Sequence, residues 1–171
     1  MIKKILLFAL VMFPVMSFAQ EAQKIAHANY AELVTSMPEY KLMVDSLQRL
    51  VRGQQAELQR IQDTYYKEVS DFVAQQDSIS ESIKNRRRQD IESIRERGEI
   101  YQQEAAQEQT EAEQALFAPI QRKVLNAIIE VGAENNFLYI LNSQPEQMSI
   151  LFFSKNAVDA APLIKKKLGI Q

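Results

Sequence analysis

The stretch "SIKNRRRQDIESIRERGE" (Ser82–Glu99) holds the chain's densest run of groups able to grip a charged ligand. Lys84, Arg86, Arg87, Arg88, Arg95 and Arg97 stand there against Asp90, Glu92, Glu96 and Glu99. A guanidinium is a planar fork of donors that matches phosphate and carboxylate. A run of them therefore points to nucleic acid or to another anionic surface. The bland alternative is a solvated helix face, with Glu81, Asp90 and Glu92 balancing the bases at helical spacing. Residues 84–97 carry six bases and three acids, whereas residues 99–113 carry Glu99, Glu104, Glu108, Glu111 and Glu113 and no base. The other reactive side chains are few. His27 is the single histidine, and no second ligand accompanies it for a metal. Cysteine is absent, which removes disulfides and thiolate sites. No nucleophile elbow, phosphate loop or zinc-helix motif occurs, and the carboxylates follow helix-surface spacing. The inventory predicts no enzyme, no cofactor and no metal.

The N-terminus limits what the arginines can meet. "MIKK" is a short positive segment, "ILLFALVMFPVM" a compact apolar one, and Ser17-Phe18-Ala19 places small residues at the −3 and −1 positions. That pattern predicts a cleaved signal peptide over residues 1–19. The apolar run falls short of the ~20 residues a membrane-spanning helix needs. Without residues 1–19 the chain keeps 18 basic and 22 acidic residues, a net charge of −4. An exported acidic chain lacks the basic balance of nucleic-acid binders, so nucleic acid is excluded as a partner.

The elements that carry the arginines follow from apolar spacing. "KIAHANY" reads as a first strand, with Ile25 and His27 alternating with Ala26 and Ala28. A short helix follows and stops near Met37, because Pro38 disfavours a helical residue before it. From Glu39 to about Gln76, Val44, Leu47, Val51, Leu58, Ile61, Tyr65, Val69 and Phe72 recur in alternating steps of three and four, with Gln54 in one slot. This is the period of a coiled-coil seam. A helix of that length reaches roughly 55–60 Å, too long for a small globule. "QQDSISES" breaks the pattern, and a second seam follows through Ile91, Ile94, Gly98, Tyr101, Ala105, Glu108, Ala112 and Ala115.

In an antiparallel hairpin, facing positions have a nearly constant sum. A sum near 162–163 sets Phe72 against Ile91, Val69 against Ile94, Tyr65 against Gly98, Ile61 against Tyr101 and Leu58 against Ala105. Large residues then face small ones, Gly98 makes room for the Tyr65 ring, and Gln54 can donate to Glu108. The tip is expected near residues 78–84. Gly53, off the seam, is expected to be a flexing point. Pro119 should kink the second helix or restart it at Ile120. "FLYIL", with Phe137, Tyr139 and Leu141, and "MSILFF", with Ile150 and Phe152, should form a β-hairpin.

The expected fold is mainly α with a small β body. A long antiparallel helical hairpin over 39–118 projects from a body made of 20–38 and 119–171. Three strands and short helices cannot bury these apolar strands on both faces, so the body should oligomerise.

This order of elements resembles the Skp/OmpH family of periplasmic chaperones for outer-membrane proteins. The resemblance is carried by the "KIAHANY" strand, the long hairpin and the "IQRKVLNAIIEVGAENNFLYIL" return. It implies a jellyfish-like homotrimer in the periplasm, with three tentacles around a cavity. There the family holds unfolded outer-membrane β-barrel chains without ATP. It also implies that a basic tentacle tip, here Lys84, Arg86, Arg87 and Arg88, could meet anionic lipid or lipopolysaccharide. Tyr66, off the seam, is the candidate for touching a client. One departure is plain: familiar members are strongly basic and this mature chain is acidic, so electrostatic capture should be weaker. The competing reading is a periplasmic coiled-coil adaptor that docks its hairpins into an envelope complex.

Overall fold

The computed structural model describes residues 24–144, 154 and 156–170. The expected signal peptide and the expected strand with Ile150 and Phe152 lie outside the described residues. Strand β1 (Lys24–Ala28) leads into α1 (Tyr30–Thr35) and α2 (Pro38–Gln75). A 3-10 turn (Gln76–Ser78) reverses the chain into α3 (Glu81–Glu134). Strands β2 (Phe137–Asn142) and β3 (Val158–Asp159) and helix α4 (Ala161–Leu168) complete it. The architecture is mainly helical, with a small sheet at the base of a long hairpin.

Local chemistry sets the boundaries. Asn29 caps α1, its Oδ1 accepting from the Glu32 amide at 3.2 Å. Met37 is extended, as a residue before proline must be, and Pro38 opens α2 where its missing N–H costs nothing. Helix α2 has 38 residues and α3 has 54, so the hairpin extends about 57 Å along α2. Asn136 ends α3 in the left-handed region at φ 54°, and the Asn135 side chain donates to the Val131 carbonyl at 2.8 Å. Gly169 ends α4 at φ 73°.

One expectation is corrected here. Helix α3 does not restart at Pro119 but continues through it. Proline in a helix interior costs about 3 kcal/mol. Ile120 and Val124 just beyond it are buried in the body core and Phe117 just before it packs on that core, so burial holds both sides helical. The expected hairpin partner of β2 lies outside the described residues; the described strands form a sheet of order β2-β1-β3 in which both pairings are parallel. The helical hairpin acts as the crossover. It takes the chain out and back so that β2 re-enters in the direction of β1.

One face of the sheet packs inward. Ala26 and Ala28 of β1 join Leu33, Val34 and Met37, then Val124, Ala127 and Val131 of α3, and Ala160 and Ile164. The alanines let a helix approach the strand closely. Ion pairs clamp the base: Lys123 Nζ to Glu39 at 2.5 Å, Lys165 to Glu32 at 2.6 Å, and Lys167 to Glu130 at 2.8 Å and Glu134 at 2.6 Å.

Along the shaft, Gln54 Nε2 donates to Glu108 Oε2 at 2.9 Å and to the Ala105 carbonyl at 3.2 Å, tying α2 to α3. A Cβ added at Gly98 would meet Ile61 Cγ2 at 3.3 Å. The close neighbour is therefore Ile61, one turn from the expected Tyr65, and Ile61 is the one buried residue of the seam.

The two shaft glycines should respond differently to alanine. At Gly53 a Cβ meets nothing within 4 Å, so Gly53→Ala raises stability by about 0.5–1 kcal/mol in a denaturant melt. Gly98→Ala recovers the same backbone entropy but presses on Ile61, and gains clearly less. A second expectation concerns acid. The hydrogen bond from Lys123 holds the Glu39 carboxyl below its usual range. Its contribution is complete above the unfolded pKa and is lost as pH falls through the depressed folded one. Lys123→Met therefore flattens the acid limb of the stability–pH curve, by at most about 1 kcal/mol for a half-exposed pair.

Candidate functional site

Two surfaces are left open by this packing, one on the body and one along the hairpin. On the body, the β1–β2 ladder places Ile25 beside Tyr139 and His27 beside Leu141. These residues point away from the alanine face that is buried. Ile25 is 46% exposed and Tyr139 58% exposed, too much for strand residues in a finished core. Phe137 instead packs against the core cluster, and His27 and Leu141 are half-buried. Helix α3 adds Leu125 and Ile129, one turn apart, with Ile129 67% exposed. The expectation of inward strand residues missed Ala26 and Ala28; the signal available was their alternation with Ile25 and His27.

At the carboxyl ends of the parallel strands lies a cleft of about 530 Å³ lined by His27, Asn29, Glu32, Ser143, Asp159, Lys165 and Lys166. Its charges are largely engaged. Glu32 pairs with Lys165, and Asp159 Oδ1 accepts from the Ala161 amide at 2.9 Å. Among the described residues no cluster of histidine and carboxylates could hold a metal ion.

The arginine run sits one to three turns from the hairpin turn. Lys84 pairs with Glu81 at 2.7 Å. Arg87 Nη2 reaches Gln75 at 3.5 Å, and the Arg88 guanidinium lies 5.6 Å over the Phe72 ring while donating to Asn85 at 3.1 Å. Arg95 is gripped by Glu92 and Glu99, and those pairs raise its pKa. Arg86 and Arg97 have no hydrogen bond or ion pair among the described residues, and Arg86 is the open cation nearest the turn. The hairpin also changes the charge count. Within residues 71–91, Lys84 and Arg86–Arg88 are matched by Asp71, Asp77, Glu81 and Asp90, so the tip is neutral. The positive excess seen along α3 alone is cancelled by carboxylates that α2 and the turn bring beside it.

Between tip and base the seam is half open. Leu47, Val51, Leu58, Tyr65, Val69 and Phe72 of α2 are only partly buried, as are Ile91, Ile94, Gly98, Tyr101, Ala105 and Ala112 of α3. Two helices can cover a seam from one side each and no further. Tyr66 lies off it, 67% exposed, its ring edge-on to Tyr65 at 5.6 Å. Val73, Ile83 and Ile100 are also exposed along the hairpin. Such a surface offers many shallow apolar contacts. Among the described residues no helix is long and apolar enough to cross a membrane.

Comparison with known proteins agrees with this architecture. A family model described as outer membrane protein (OmpH-like) matches residues 24–168. No curated protein matches the chain. Among solved structures, the chain is similar to an OmpH-like protein of Caulobacter crescentus CB15, proposed as an outer membrane chaperone. The TM-score is 0.73 at 14% identity, over 85% of this chain and 83% of that one. At that identity the likeness shows a shared fold.

The tip geometry assigns different work to neighbouring arginines. Arg88→Ala loses the contact with Phe72 and destabilises the tip by about 0.5–1 kcal/mol, read as faster amide exchange across residues 70–90. Arg86→Ala leaves the exchange pattern unchanged.

Proposed function

The chain belongs to the OmpH-like family, and from that premise we propose that it is an ATP-independent holdase chaperone of the periplasm. It would hold unfolded outer-membrane β-barrel chains between its hairpins and prevent their aggregation. The observation that carries this reading is the half-open hairpin seam: a shaft about 57 Å long with apolar side chains that neither helix can cover. A disordered client is held best by many weak, sequence-tolerant contacts, since each ordered segment costs conformational entropy. Neither bond-making residues nor a cofactor site takes part, and the family's role is that of a chaperone rather than an enzyme.

The body is proposed to trimerise. Ile25, Tyr139, Leu125 and Ile129 form exposed apolar surface of the kind that marks a subunit interface. Strands β2 and β3 each carry an edge without a partner among the described strands, which invites further pairing. Ile150 and Phe152 of the "MSILFF" segment are proposed to contribute a strand to that body. Three copies would set three hairpins around a common space, after export and removal of residues 1–19. Arg86 is the residue proposed to meet anionic lipid or lipopolysaccharide, with Lys84, Arg87 and Arg88 beside it. With a neutral tip this attraction is short in range, and screening at ~0.15 M salt confines it to about 8 Å.

The test uses the mature chain. Sedimentation should give a trimer, and Tyr139→Asp should shift it to monomer. An outer-membrane β-barrel protein diluted from urea should stay soluble at one trimer per client. A stable trimer that leaves aggregation unchanged would instead favour the adaptor reading.

A further inference from the structure

The two flanks of the hairpin differ in chemistry. On one flank, shallow depressions between α2 and α3 run together, sharing Leu58 and Gln102, into a single groove. Its floor is apolar, from Val51 through Leu58 to Tyr65, with Gly98, Tyr101 and Ala105 opposite. Its rim carries the amides of Gln55 and Gln62 on α2 and of Gln102 and Gln109 on α3, and towards the tip the paired Arg95 and Glu99. The four glutamine side chains make no hydrogen bond to any described residue, so their amides are available to a ligand. By helical spacing the opposite flank carries Glu57, Arg60, Glu68 and Asp71 of α2 with Arg97 and Glu104 of α3. On so charged a chain, a rim of neutral amides over an apolar floor is complementary to a ligand that is itself uncharged.

We propose that this groove is a binding site for an extended, uncharged polypeptide segment in which apolar and small polar residues alternate. From Val51 to Tyr66 the groove runs fifteen residues of helix, about 22 Å, which accommodates six or seven residues of extended chain. Apolar side chains of alternate residues enter the floor between the helices. Carboxamides of Gln55, Gln62, Gln102 and Gln109 both donate and accept, so they can serve peptide N–H and C=O groups without regard to sequence. A charged residue would face a desolvating floor, and the charges that line the groove, Arg95 and Glu99, already pair with each other. Tyr66 stands at that end and closes the groove on one side. The proposal rests on the holdase reading in that it names where on the hairpin a client lies and which of its segments is taken.

The probe is an end-blocked ten-residue peptide of alternating leucine and serine, compared with one carrying lysine in place of each serine. A benzophenone-bearing residue placed at Gln102 should crosslink the first peptide, and the same residue placed at Arg60 on the other flank should not. The double variant Gln62→Glu/Gln102→Glu, at two exposed positions, should keep the wild-type melting curve. It should bind the serine peptide about tenfold more weakly and the lysine peptide more tightly than wild type does. Equal crosslinking from both flanks, or unchanged affinities in the double variant, would overturn the groove. Aggregation of an unfolded β-barrel protein is scored separately with wild type. If it is not suppressed, the holdase reading fails while the peptide results still decide the groove.

Discussion

Residues Val124, Ala127 and Val131 of α3 meet Ala26 and Ala28 of β1 and Leu33 of α1 in one buried cluster, and the molecule depends on that contact. The hairpin alone has a lean seam in which Ile61 is the one buried residue, and two helices packed so sparsely are marginal in water. Anchoring the return helix in the body supplies what the shaft lacks. The same burial keeps α3 continuous through Pro119, since a break there would have to separate Phe117 from Ile120 and Val124. A single helix thus serves as core element at one end and as free-standing shaft at the other.

What makes the shaft weak also makes it useful. Gly98 lets α2 and α3 come together so closely that a Cβ there would press on Ile61, and shallow depressions remain along the flank. A seam of leucines on both sides would close that space and stiffen the hairpin. Apolar surface withheld from the protein's own core remains available for another chain. The body follows the same economy: its alanine face is sealed by a helix, while Ile25 and Tyr139 on the other face stay exposed.

Electrostatics show how far a linear reading can mislead. Along α3 the arginine run is strongly basic, but the hairpin returns Asp71 and Asp77 to the same end of the molecule, and residues 71–91 together are neutral. Within that balance the guanidinium groups differ. Arg88 lies on Phe72, Arg87 leans toward Gln75 and Arg95 is held by two glutamates, while Arg86 at the tip is uncommitted. Three adjacent residues of one type point in three directions, because each step along a helix turns by about 100°.

The sequence by itself determined the long hairpin and the membership of its seam. Hydrophobic spacing and the lack of breakers between Glu39 and Gln76 are local properties, and a constant positional sum follows from antiparallel geometry. Pro38 marked a boundary for an equally local reason of backbone conformation. Which way the strands pair was decided only by tertiary structure, since direction depends on where a chain re-enters after some hundred residues. The same holds for Ile61 as the neighbour of Gly98, and for the survival of a helix through Pro119. It holds for the neutral flank as well. Glutamines on α2 and α3 look unremarkable in sequence, and they form a rim only when two helices bring them to opposite sides of one groove.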